Sequence, residues 1–266
     1  MSANLGKLEA ALLAYVQMRN LRKVSTGDLR GPLQLSPKQE SSLFDRMSRR
    51  KIIAQVRRGL YLVPSQLPLG GLWSPSEALA INTLMDDQKG RYQLGGPNAF
   101  HRYGFDQQLP VRLYVYNNRL YGDRVIGSVA LTLIKVADER LGGTEKMTTP
   151  EGDVLLMASR ARTLVDAVRD WSRFDSLPRG FDWIRGELAA GRVEVGELVG
   201  TVLQFGNQGT LRRIGALLDG LGVSELLLKK IERRLRSKKS QIPFVPGLAS
   251  RGKLLRRWGV VFNEQA

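Results

Sequence analysis

The stretch from Ser36 to Pro64, SPKQESSLFDRMSRRKIIAQVRRGLYLVP, has room for one helix and one hairpin and for little else. Ser36 is a good N-cap, Pro37 suits the first helical position, and Gln39 stands where a capping box places Glu or Gln. Leu43, Phe44 and Met47 then share one helical face, which packs inward. Lys38, Gln39, Ser42, Arg46 and Arg49 are left on the other side. The runs Ile52–Val56 and Leu60–Val63 are strand-like. Between them Gly59 can take the left-handed conformation that a tight turn after Arg57 and Arg58 needs. A helix and a hairpin, back to back, therefore carry their positive charge together.

Upstream, Leu5, Leu8, Leu12, Tyr15 and Val16 recur at three- and four-residue steps, which predicts a helix over Leu5–Leu21. A short segment, Ser25-Thr26-Gly27-Asp28-Leu29, follows and stops near Pro32. Three helices and then a hairpin is the order of a winged helix-turn-helix. In such a domain the third helix enters the major groove, where all four base pairs are distinguishable. The hairpin tip, Arg57 and Arg58, would reach phosphates or the minor groove beside it. The same residues also fit a small packing domain with a basic face.

Charge supports a polyanion or an acidic partner. The formal net charge of +16 is unevenly placed: residues 1–63 carry +8, residues 64–206 carry −1 and residues 207–266 carry +9. A charge serving solubility alone would be spread more evenly, although a merely solvated basic surface is the plainer alternative. No apolar run reaches the roughly 18 residues of a membrane span, and Met1–Lys7 lacks a basic leader followed by an apolar core. With no cysteine, neither disulfides nor thiolate metal sites are expected, and a cytoplasmic location fits best.

After a Pro- and Gly-rich linker at Leu67–Leu72, a helix is expected over Ser76–Met85, with Ser74 as N-cap before Pro75. Strands follow at Tyr92–Leu94, Val111–Tyr116, Val129–Val136 and Gly152–Met157, and then a helix at Ala158–Val168. From Phe181 the chain reads as helices: Phe181–Ala190, Val195–Phe205, Gly209–Leu221 and Ser224–Ser237. The expected fold is thus α/β (α+β). A winged helix-turn-helix over 1–66 is followed by a mixed unit with a partly antiparallel sheet over 72–170 and a helical bundle over 171–266. In the last helix Leu226, Leu227, Ile231 and Leu235 face inward, while Lys229, Lys230, Arg233, Arg234 and Arg236 lie outward. Arg212 and Arg213 add charge from the helix before, and a basic tail follows that includes Lys238 and Lys239. A second DNA contact, a surface for an acidic protein and plain solvation all fit this end.

Catalytic signatures are missing. Gln93–Phe105 is glycine-rich but lacks the lysine of a P-loop and the spaced glycines of a dinucleotide site, so it reads as a strand-to-helix turn with Pro97 at the first helical position. His101 is the only histidine and has no convergent partner, which makes it structural. Gly247–Leu255 has the glycine–lysine spacing of a Walker A loop, but Leu254 stands where Ser or Thr would bind magnesium. Asp86-Asp87 and Asp138-Glu139 are adjacent pairs with no third ligand. No enzyme, cofactor or metal site is expected.

Four segments together carry a resemblance that runs from about Leu5 to Phe262. They are RRKIIAQVRRGLYLVP (Arg49–Pro64), SPSEALAINTL (Ser74–Leu84), LGGPNAFHRYGFDQQLPVRLYVYN (Leu94–Asn117) and SRARTLVDAV (Ser159–Val168). In this combination the chain resembles the AbiEi antitoxins of bacterial type IV toxin–antitoxin systems. The resemblance implies two jobs. A winged helix represses the promoter of its own operon, and the larger carboxyl part counteracts a nucleotidyltransferase-like toxin, directly or indirectly. The DNA-reading residues it implies are Lys38, Gln39, Ser42, Arg46 and Arg49, with Arg57 and Arg58 on the wing. One wing and one helix read a short site, so a monomer in solution would occupy an inverted repeat of promoter DNA as two copies. The alternative is a winged-helix regulator without a toxin, whose carboxyl part senses a ligand or pairs subunits.

Overall fold

The computed structural model describes residues 5–68, 71–236, 240–249 and 251–263. Helices and mixed sheets alternate along the chain, which is of the α/β kind. Its elements are α1 (Lys7–Met18), β1 (Lys23–Ser25), α2 (Pro37–Arg49), β2 (Ala54–Arg57), β3 (Leu60–Leu62), α3 (Glu77–Asp87), β4 (Tyr92–Leu94), α4 (Pro97–Arg102), β5 (Leu113–Asn117), β6 (Gly122–Ile126) and β7 (Val129–Lys135). They continue with β8 (Thr144–Thr148), β9 (Val154–Ala158), α5 (Arg160–Arg169), α6 (Trp171–Phe174), α7 (Arg179–Ala189), α8 (Val195–Phe205), α9 (Gln208–Gly220), α10 (Glu225–Glu232), β10 (Ile242–Pro243), β11 (Lys253–Leu255) and β12 (Val260–Phe262). The strands order as β1-β3-β2, as β6-β7-β5-β4-β9-β8 and as β10-β12-β11. Two compact units form, each drawn from separated stretches. The first takes residues 1–92, 111–135 and 147–155, and the second takes 93–110, 136–146 and 156–266. The range 72–170, read from the sequence as one central part, contributes to both.

In the first unit α2 begins as its sequence dictates. Ser36 Oγ accepts from the Gln39 amide at 3.3 Å, and Gln39 Oε1 accepts from the Ser36 amide at 2.8 Å, a reciprocal capping box with Pro37 at the first position. Leu43, Phe44 and Met47 bury completely against Leu12 and Val16 of α1 and against Ile52 and Tyr61. The Phe44 and Tyr61 rings stack with centroids 4.4 Å apart. The hairpin β2–β3 turns at Gly59, where φ is +80°. A third strand, β1, pairs antiparallel with β3.

The expected middle helix is corrected. Residues 26–34 form a run of turns, in which only one α-type bond, Leu33 N–H to the Leu29 carbonyl, persists. Gly27 at φ +107° breaks the helix at its start and Pro32 near its end. A carboxylate holds the segment instead. Glu40 on α2, fully buried, accepts from the amides of Gly27 and Leu29 and from Arg30 Nε at 2.9–3.2 Å. The N-cap of α3 also moves: Ser76 Oγ, not Ser74, accepts from the Leu79 amide. In the same unit β5 and β7 pair parallel, and β6 and β7 antiparallel.

The second unit is centred on α5. Arg162, wholly buried, donates Nε to Asp166 Oδ2 at 2.9 Å, Nη1 to the Gly142 carbonyl at 2.8 Å and Nη2 to the Arg140 carbonyl at 2.9 Å. Its guanidinium lies 4.0 Å from the Phe205 ring centre. Burial pushes the Asp166 carboxyl up, while Arg162 and Arg140 oppose that push. Leu164, Val165, Phe181, Ile184, Leu198 and Leu217, from α5, α7, α8 and α9, close around this node. Within the unit Leu94 of β4 pairs in parallel register with Met157 of β9.

The carboxyl end is not helical throughout, as the sequence pattern had suggested. The helix expected to reach Ser237 ends at Glu232, and Ser237 itself, like Lys238 and Lys239, lies outside the described residues. Beyond it β12 pairs parallel with β10 and antiparallel with β11. Phe244, Trp258 and Val260 of this small sheet and its turns are fully buried in the same core, Phe244 stacking on Phe181 at 4.1 Å.

In the first unit Glu9 of α1 provides a test. Its buried carboxylate accepts from the Gly6 amide, from Arg46 Nε at 2.9 Å and from Arg50 Nη1 at 2.5 Å. Burial alone would raise its pKa, but these three donors outweigh burial and hold it below the usual carboxylate value. A depressed carboxyl stabilises the fold above its unfolded pKa, and that stability is lost as pH falls through the lower folded value. Glu9→Gln should cost about 1–3 kcal/mol at neutral pH and flatten the fall of Tm below about pH 4.5, as read by calorimetry over a pH series. A mutant whose acid limb parallels the wild type would contradict this role.

Candidate functional site

The solvent face of α2 and the β2–β3 tip, both in the first unit, present the seven residues read from the sequence as DNA contacts. Lys38, Gln39, Ser42, Arg46, Arg49, Arg57 and Arg58 are all exposed. Their freedom differs. Lys38 and Arg58 make no ion pair among the described residues, and neither does Arg49, whose Nε rests on the Asp45 carbonyl at 3.3 Å. Gln39 has its Oε1 committed to the cap, leaving its amide nitrogen outward. Arg46 gives Nε to buried Glu9, so it anchors α2 on α1 as well as facing solvent.

Arg57 departs furthest from expectation. Its guanidinium forms a bidentate pair with Asp87 at the end of α3, at 2.7 and 2.5 Å, and also reaches the Arg58 carbonyl. The Arg57 hydrogen bonds hold the Asp87 carboxyl below its ordinary value. The tip therefore offers one free cation, Arg58, rather than two. Nothing in the local sequence announces this, because Asp87 lies thirty residues away.

In the second unit Lys229, Lys230, Arg233, Arg234 and Arg236 are exposed on and just after α10. Their helix contributes two carboxylates, Glu225 and Glu232, and Arg257 takes both, at 2.7–2.9 Å and 3.2 Å. The five cations make no ion pair among the described residues. Arg212 and Arg213 are not part of such a surface and are withdrawn from it. Arg212 is 4% exposed and donates to the carbonyls of Trp258, Ser240 and Gly259; Arg213 is 9% exposed and donates to those of Pro243 and Phe244. Desolvation pulls the Arg213 pKa down to about 10. These two arginines pin the carboxyl-terminal strands to α9. Helical spacing carried a signal for it, since Arg213 shares a face with Ala216 and Leu217.

Gly96 caps α4 with Pro97 at its first position, the expected strand-to-helix turn. His101 on α4 has Nδ1 buried with no hydrogen-bond partner among the described residues. In Gly247–Leu255, Ser250 lies outside the described residues, and Lys253–Leu255 is strand β11. Among the described residues no group of three or more His, Asp or Glu side chains could hold a metal ion, and no helix is long and apolar enough to cross a membrane.

No family model matches this chain, and no curated protein matches it either. Among solved structures it is similar in fold to the crystal structure of the RV2827C protein from Mycobacterium tuberculosis. The TM-score is 0.57 and the identity 15%, over 97% of this chain and 92% of that one.

Proposed function

We propose that the chain is a non-enzymatic, DNA-binding antitoxin that represses its own operon. In this reading the first unit carries a winged helix, with α2 as its groove-reading helix and β2–β3 as its wing. One observation carries the reading: Lys38, Ser42, Arg49 and Arg58 stand free on one helix face and one hairpin tip of the same compact unit. Free cations and donors at two adjoining places are what a duplex backbone and a groove edge require together. The strand order β1-β3-β2, with β1 ahead of the reading helix, supports the winged form. The antitoxin part rests on the sequence resemblance, and the exposed cations of α10 are the surface best suited to meet the toxin. A regulator without a toxin is the second reading, favoured only if no toxin gene adjoins this one.

On duplex DNA, Arg58→Ala should weaken binding to every sequence and lower the slope of log K against log salt by about 1. Arg57→Ala should leave that slope nearly unchanged, because Asp87 already neutralises it. Asp87→Ala, by freeing Arg57, should steepen it by about 1. Titrations over a salt series check all three, and equal slopes across the set would remove the hairpin from the interface.

Arg49→Ala should blunt discrimination at one base pair by about 1–3 kcal/mol, whereas Lys38→Ala should weaken all duplexes alike. Binding to a panel of single-base operator variants decides it. For the second job, the triple change Lys229→Glu, Lys230→Glu and Arg233→Glu should abolish rescue in co-expression with the adjoining nucleotidyltransferase-like gene, yet leave promoter binding intact. Rescue that survives the triple change would move the antitoxin surface away from α10.

A further inference from the structure

A cleft of about 640 Å³ opens in the first unit beside the carboxyl end of α2. Its size falls within the range of small-molecule sites, roughly 300–1,000 Å³. Trp73, Leu72 and Val125 give it apolar walls, and Leu72 and Val125 are each 64% exposed. Arg49 and Lys51 line it, and no carboxylate does. Ser48 also lines it, with an Oγ that is shut from bulk solvent and has no hydrogen-bond partner among the described residues. The negative end of the α2 dipole offsets part of this charge, and two full cations exceed it.

The walls are fixed. The amide and hydroxyl of Ser128 donate to Ser74 Oγ at 2.8 and 2.7 Å. Gly127, at φ +64°, lets the β6–β7 turn approach so closely that a Cβ there would lie 2.6 Å from Pro75 Cδ. The Trp73 amide donates to the Lys51 carbonyl at 2.8 Å, which ties the main chain of the aromatic wall to that of the lysine.

Lys51 closes α2 with the same backbone that Lys89 uses to close α3. Ile52 N–H bonds to the Met47 carbonyl and Lys51 N–H to that of Ser48, the pattern of a Schellman cap. The position just past the helix, at φ +54°, is one where glycine is favoured and a lysine is strained. What sets Lys51 apart is its place on a carboxylate-free cleft with an aromatic wall, which suits a ligand that is both anionic and ringed.

We propose that this cleft binds a free nucleoside monophosphate or a close chemical relative. Its phosphate meets Lys51 and Arg49, and its base lies against Trp73. Arg49 also belongs to the groove-reading face, so the nucleotide and DNA draw on one side chain and oppose each other's binding. That opposition rests on the DNA-binding reading; the site itself does not.

The first unit contains one tryptophan, Trp73, the other three lying in the second. Titrating the full chain with AMP should therefore change its fluorescence, and Trp73→Phe should remove the change. Adenosine and inorganic phosphate, taken separately, should each bind at least about tenfold more weakly than AMP. Lys51→Gly should weaken AMP by about tenfold while raising Tm, since glycine relieves the cap; a binding loss in a more stable protein cannot be misfolding. If none of the four ribonucleoside monophosphates shifts the Trp73 signal, or if Lys51→Gly binds AMP as tightly as the wild type, the site is overturned. With operator duplex present, the apparent Kd for AMP should rise. An unchanged Kd, with both ligands bound, overturns the shared use of Arg49 and leaves each binding activity measured by its own readout.

Discussion

Each carboxylate that the described residues bury must find a cation, because an ionised acid removed from water without one is too costly to keep. Four are buried, and arginine meets each. Glu9 takes Arg46 and Arg50, Glu40 takes Arg30, Asp166 takes Arg162 and Arg140, and Glu187 takes Arg160 and Arg192. These pairs do more than neutralise. Glu40 organises a glycine-broken run of turns that could not hold itself as a helix, and Arg162 ties α5 to two carbonyls of the loop between β7 and β8. Arginine suits the task because one planar group supplies several donors in fixed directions.

The consequence is a division of the positive charge. Much of it is committed to the interior or to surface partners such as Asp87 and Glu225, so the count of 41 lysines and arginines overstates what is offered to another molecule. Unpaired cations stand on the two candidate surfaces: Lys38, Arg49 and Arg58 in the first unit, and those on and just after α10 in the second. A lysine or arginine not tied to a carboxylate keeps more of its field for another molecule. Clustering of free charge, rather than its total, is what gives these surfaces their character.

The parts of the fold governed by neighbouring residues were legible in the sequence. Ser36, Pro37 and Gln39 announce the start of α2, and Val195–Phe205 is bounded as its apolar spacing says. What depended on distant partners was not. Strands of three residues such as β1 and β12 are too short to show alternation, and they exist only because another strand receives them. The pairing of Arg57 with Asp87, and the burial of Arg212 and Arg213 beneath carbonyls about thirty to fifty residues on, are long-range facts of the same kind. Arginine reads as surface in any local window, and a window cannot see a ring of carbonyls closing over it.

Two of the hydrophobic clusters also complete at different times. The core around Phe44 and Tyr61 draws on residues no later than Leu67, whereas the one around Phe181 needs Phe244, Trp258 and Val260. During synthesis, which proceeds from the amino end, the first can consolidate while most of the chain is still unmade. The second must wait until those residues are made, with α9 and its two arginines lacking their covering carbonyls until then. A nascent chain stalled before Trp258 would thus carry a finished helix–hairpin core joined to an unfinished, sticky remainder, a form suited to capture by chaperones or proteases.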